Sequence, residues 1–292
     1  MSESLYNQIV SKFLANKVAM TALVVLLLLS LGALFAPFIA PQNPYDLAAL
    51  SLEDSRLAPA SRGATNFWYV LGTDDQGRDM LSAILFGLRT SLWIGVTSTV
   101  IALFLGGILG LLAGYHGGKV DALIMRVADL QLSFPAILIA LILLAVLGQG
   151  AEKILTALVA VQWAFYARTA RSAALVERNK EYVEAAVCLG FTTRQIVFNQ
   201  VLPNCLPPLI VVAALQVASA ISLEATLSFL GIGLPITEPS LGLLIANGFQ
   251  YMLSGNYWIS FYPGIALLLT VMAINLVADH LRDVLNPKLQ TL

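Results

Sequence analysis

Polar and apolar residues along this chain are sorted into long blocks and do not alternate, which argues against membrane β-strands and for helices. Residues 18–38, 92–115 and 259–277 are apolar runs without a charged residue. Each is close to the ~20 residues a helix needs to cross a bilayer. Another span is predicted from a helix opening at 121–129, with Arg126 among its polar residues, and continuing to Leu147 with Pro135 as a kink inside the bundle. Residues 154–174 make a fourth span that takes in Arg168 and Arg171, arginines that stay in water if the helix end projects from the bilayer. The fifth starts after Asn204 with Pro207 and Pro208 in its first turn, where a missing N–H does no harm, and runs to about Gly231. The pattern predicts an all-α polytopic membrane protein with six transmembrane helices, the first over 18–39 and five more in a core domain over 91–292.

The polar blocks divide the rest. Residues 1–17 are a short lead with amphipathic hints at Tyr6, Ile9, Val10, Phe13 and Leu14. Residues 40–90 are a loop rich in Pro, Asn and Asp. In it, Thr73 or Asp74 is placed to cap a short interfacial helix over 76–85, whose Met80, Leu81, Ile84 and Leu85 repeat at helical spacing. The cluster of Asp residues there reads as solvated turn and capping chemistry before it reads as a metal site. A second excursion, 234–258, contains no Lys or Arg. In the second span Gly106, Gly110 and Gly114 bare one helical face, so a neighbouring backbone can approach closely. Pore lining is the weaker reading of that face.

Composition agrees. The chain has 292 residues, 58% hydrophobic and 11% charged, with mean hydropathy +0.82, too greasy for a soluble protein. A formal charge of −1 leaves no basic footprint for nucleic acid. Cys188 and Cys205 suggest neither a disulfide framework nor a metal site, and His116 and His280 have no partner at ligand spacing. Placing both termini in the cytoplasm puts most of the 16 Lys and Arg residues inside. Only Arg56, Arg62, Arg78, Arg89 and Lys153 then fall outside. The expected orientation is N-in, C-in.

One polar island, 178–204, interrupts the greasy second half. Tyr182, Ala185, Ala186 and Leu189 recur at helical spacing beside a charged face. Gly190 stands where a helix end wants a residue tolerant of positive φ. Thr192 and Gln195 have capping-box spacing, and Phe191 and Ile196 the spacing of a hydrophobic staple. Pro203 is expected to close the unit and Asn204 to cap the next helix. Two short helices with a corner between them are predicted on the cytosolic side, as a docking surface.

Glu184-Ala185-Ala186, Gly190 and Leu202-Pro203 resemble the cytoplasmic Glu-Ala-Ala loop of binding-protein-dependent ABC importer permeases. Gln200, where the general pattern has Ile, resembles the dipeptide/oligopeptide branch. So do Gly72, Thr73, Asp74, Gly77, Arg78 and Asp79, which look like the segment before the second span in that branch. The similarity is read from about Leu71 to Leu289. It implies the type I permease fold in the inner or plasma membrane of a bacterium or archaeon. It also implies a homologous second permease, an extracytoplasmic solute-binding protein, and two cytosolic ABC ATPase subunits that hold ATP and Mg, with no cofactor on this chain. Glu184 is then expected to make a charged contact to an ATPase, Ala185 and Ala186 to allow close approach, Gly190 to set the corner and Leu202-Pro203 to anchor it. Di- and oligopeptides are the implied cargo; nickel, glutathione or opine-like conjugates are the alternatives.

No catalytic constellation is present: there is no phosphate loop, no His-Glu-x-x-His and no Gly-x-Ser-x-Gly. The chain is therefore expected not to be an enzyme. Glu224 is the one acid deep in an apolar span and by default suggests function, in a translocation path or a proton relay. The relay would make this an ion-coupled secondary transporter. A carboxylate near the outer end of its helix, paired within the bundle or hydrated, is the plainer reading.

Overall fold

A computed structural model describes residues 11–46, 50–64 and 66–285. Residues 1–10 of the predicted lead over 1–17 and the last residues of the charged tail lie outside the described residues. Helix α1 (Lys17–Leu34) starts where the Asn16 side-chain oxygen accepts from the N–H groups of Val18 and Ala19, and it buries a small face of Ala19, Ala22 and Ala33. The short α2 (Ala36–Ile39) follows. Among the described residues, the next forty hold a single 3-10 turn (Leu52–Asp54) and a two-stranded hairpin, β1 (Ser61–Arg62) against β2 (Trp68–Tyr69).

Helix α3 (Met80–His116) is 37 residues long, or ~55 Å at the usual rise. It merges the predicted interfacial helix with the second span. Its cap is Asp79, whose carboxylate accepts from the Ser82 N–H, so the expectation that Thr73 or Asp74 caps this helix is corrected. Helices α4 (Gly118–Leu132) and α5 (Ala136–Leu147) are bent by 91°. Pro135 thus marks a corner, not a kink, because it leaves no N–H to continue α4. Helix α6 (Ala151–Arg178) lies along α3. A side-chain carbon at Gly106, Gly110 or Gly114 would strike the α6 backbone at Trp163, Ala167 or Arg171. That face is filled by α6, which settles packing over pore lining.

The arginines expected in water at the end of α6 are paired with acids of α4. Arg171 donates twice to Asp121, at 2.5 and 2.7 Å, and Arg168 donates to Asp129 at 2.5 Å. After α6 come α7 (Glu181–Cys188), α8 (Thr193–Ile196), a π turn over Val197–Val201, and α9 (Leu202–Phe229). From Thr193 to Phe229 the helix is continuous. Pro203 therefore does not close the unit, Asn204 does not open a helix, and Pro207 and Pro208 sit inside α9. The π turn widens the helix just before Pro203, where a proline ring would otherwise press on the carbonyl four residues back.

The second excursion contains α10 (Leu241–Phe249), whose Leu241 and Leu244 are buried with Met80, Ala83 and Ile84 of α3, and it leads into α11 (Trp258–Leu285). Among the described residues, four helices are long and apolar enough to cross a membrane, five if α4 and α5 count as one span. Helix α6 has the length but carries charges at both ends.

Candidate functional site

The 178–204 stretch folds as a corner at the far end of α3, with the Arg178 guanidinium 5.9 Å from the Tyr115 ring centre. Helix α7 ends in a Schellman turn. The Phe191 N–H bonds the Ala186 carbonyl and the Gly190 N–H bonds the Val187 carbonyl, with Gly190 at φ +77°. Thr192 and Gln195 form the predicted capping box in full. The local grammar of the sequence is thus realised on both sides of the corner.

The burial of α7 differs from the predicted face. Val183 and Ala186 are buried against Leu111, Tyr166, Ala170 and Ala174, while Ala185 and Leu189 face outward. Two helical turns carry too few repeats to fix which stripe is inward, and the α3 and α6 side chains decide it. Ala186 therefore gives close approach to the chain's own core, leaving Glu184 and Ala185 exposed. Leu189 is 76% exposed, and Val187, Phe191 and Phe198 are exposed as well. A hollow of about 70 Å³ lies among Phe191, Gln195, Ile196, Asn199 and Gln200. Leu202 is half-buried and Pro203 exposed at the start of α9.

One residue of the corner was missed. Glu177, at the end of α6, accepts from Lys180 Nζ at 2.7 Å and from the Tyr182 hydroxyl at 2.6 Å, and that hydroxyl accepts from Asn204 Nδ2 at 3.1 Å. The spacing of Glu177 and Lys180 is a helical ion-pair signal that was present in the sequence. Burial, then the bond to Glu177, pushes the Tyr182 phenol up to about 12.

The other end of α3 is a knot of buried polar groups. Asp74 and Arg78 are both fully buried and pair at 2.6 Å. The second Asp74 oxygen accepts from the N–H groups of Gln76 and Arg78. Arg78 also donates to the Ile236 carbonyl at 3.3 Å, and Trp258 donates to the Thr73 carbonyl at 3.2 Å. Gly72 and Gly77 turn the chain with positive φ around this pair. The segment 72–79 thus ties the start of α3 to the loop before α10 and to the start of α11. Capping duty holds for Asp79, but the expected solvation does not, since Thr73, Asp74, Arg78 and Asp79 are all buried.

Glu224 is fully buried and accepts from Ser91 of α3 and Ser228 of α9, both at 2.8 Å. The two hydroxyl bonds satisfy the carboxylate within the bundle and tie α3 to α9. A cavity of about 700 Å³ between α1 and α3 is lined by Ser30, Leu34, Arg89 and Trp93 among others, and by none of the predicted site residues.

The family of binding-protein-dependent transport system inner membrane components matches residues 106–291, which include the corner and Glu224. This chain belongs to that family. In this permease, residues 4–59 also match the N-terminal transmembrane domain of oligopeptide transport permease C, so the likeness starts well before Leu71. The permease is 41% identical to the di/tripeptide transport system permease protein DppC of Pseudomonas aeruginosa, over 95% of this chain and 90% of that one. It is 35% identical to the oligopeptide transport system permease protein OppC of Bacillus subtilis, over 99% and 92%. It shares its fold with a chain of the MetNI methionine ABC transporter, solved in inward-facing conformations. The TM-score is 0.58 at 21% identity, covering 71% of this permease and 98% of that chain.

Proposed function

We propose that this permease is the membrane-spanning subunit of an ATP-driven importer for di- and oligopeptides. The observation that carries the proposal is the 41% identity to a di/tripeptide permease across nearly the whole chain. A solute-binding protein delivers the cargo from outside, and a homologous second permease completes the pathway. Two cytosolic ABC ATPases hold ATP and Mg and supply the work, while this chain binds no cofactor of its own. Six helices cross the membrane, with α4–α5 as one bent span and α6 as the sixth, and both termini lie in the cytoplasm.

Force enters at the corner. The exposed Glu184 pairs with a charged or amide group of an ATPase, and Val187, Leu189 and Phe191 supply an apolar contact around it. Gly190 keeps the two arms at their angle, and Leu202-Pro203 joins one arm to a span. The test is uptake of a labelled pool of di- and tripeptides by the purified complex in liposomes, with ATP inside. Glu184→Lys and Gly190→Pro are expected to leave the subunit in the membrane and abolish uptake. Unchanged uptake in both variants removes the corner from the mechanism. Uptake that needs no ATP and collapses with an uncoupler puts Glu224 and ion coupling in its place.

A further inference from the structure

The two arms of the corner are attached to the bundle unequally. Helix α8, the π turn and α9 form one unbroken helix from Thr193 to Phe229. Helix α7 packs on α3 and α6 through Val183 and Ala186, and along the chain it is joined to α6 through Asn179 and Lys180. Such a short irregular link bends under load, so part of a push on α7 is spent at the link unless a polar tie spans it as well.

Glu177, Tyr182 and Asn204 span it. Glu177 belongs to α6, Tyr182 to α7 and Asn204 to α9. The Tyr182 hydroxyl donates to Glu177 at 2.6 Å and accepts from Asn204 at 3.1 Å, so one oxygen touches all three elements. The other Glu177 oxygen takes Lys180, from the link itself, at 2.7 Å. Asn204 uses its second N–H on the Gln200 carbonyl at 2.8 Å, which fixes the amide beside the π turn. Glu177 is only 8% exposed, and its bonds to Lys180 and the Tyr182 hydroxyl are charge-assisted, the stronger kind.

We propose that Glu177 is a positioning residue that, through the Tyr182 hydroxyl, locks α7 to α6 and α9 together. A displacement received on α7 then moves both long helices as one body. The inference rests on the reading of 178–204 as the ATPase dock. It adds a transmission element beside that dock, centred on the buried Glu177. Removing it leaves the docking surface intact and lets the link yield.

The experiment uses the full complex, with its ATPases and binding protein, in liposomes. Peptide uptake and ATP hydrolysis are measured side by side for the native protein, Glu177→Gln, Tyr182→Phe and the double variant. Peptides moved per ATP are expected to fall about two- to tenfold in each single variant. ATPase co-purification and thermal stability are expected to stay near native. The double variant is expected to fall no further than the worse single one, since all these bonds form one network. A native ratio in both single variants overturns the inference, as does a loss of uptake matched by equal losses of ATP hydrolysis and assembly. A native complex without ATP-dependent peptide uptake overturns the docking reading itself, and the inference falls with it.

Discussion

The two ends of α3 solve opposite problems with similar residues. At one end, acids and an arginine are turned inward: Asp74, Arg78 and Asp79 are buried and bonded to backbone and side chains. At the other, the corner turns Glu184 and several large apolar groups outward and keeps only Val183 and Ala186 of α7 in the core. Most polar groups of the knot are already bonded to one another, with Arg78 Nη2 and Asp75 Oδ1 left over, and being buried they offer little to a partner. An exposed apolar patch beside a charge is unfinished by the same accounting. The contrast marks the knot as a fixture that holds α3, α10 and α11 in register, and it supports the proposal that the corner docks another molecule.

The largest break of this contrast is expected at the knot. Asp74→Ala leaves the Arg78 guanidinium buried without its carboxylate, which costs on the order of 3–5 kcal/mol. The purified permease should lose many degrees of melting temperature, read by thermal shift in detergent. A smaller effect comes with acid at the corner. Burial raises the Glu177 pKa, but the bonds from Lys180 and Tyr182 outweigh it and hold the carboxyl below its ordinary value. The stabilisation is therefore fully present above the ordinary glutamate range and is lost as pH falls through the depressed value. Amide protection of α7 should drop in that acid window in the native protein and show no such step in Glu177→Gln. The smallest effect is at the exposed patch. Leu189→Ser should leave stability within about 0.5 kcal/mol while weakening ATPase co-purification several-fold.

What the sequence made legible follows the same division. The corner's turn was readable because it is written in local chemistry: a glycine at positive φ, a threonine and a glutamine three apart. The facing of α7 was not, because Val183 and Ala186 are chosen by side chains more than sixty residues away on α3 and nearer ones on α6. The continuity of α8 into α9 was hidden by Pro203, whose usual meaning as a stop is overruled by the π turn ahead of it. The knot reads as a solvated loop because its residues are polar; the nearby Gln42, Asp54 and Leu57 and the distant Ile236 and Trp258 close over it together. The glycine face of α3 was read correctly, since close approach is a property of the face whatever the neighbour.

Hydrogen exchange of the permease with and without its ATPase partners tests the central claim most directly, because it reads both ends of α3 at once. The account predicts strong new protection over residues 181–200 when the ATPases are bound, and no change over 71–79. Protection that appears at the knot instead, or a corner whose exchange is indifferent to the ATPases, would contradict it.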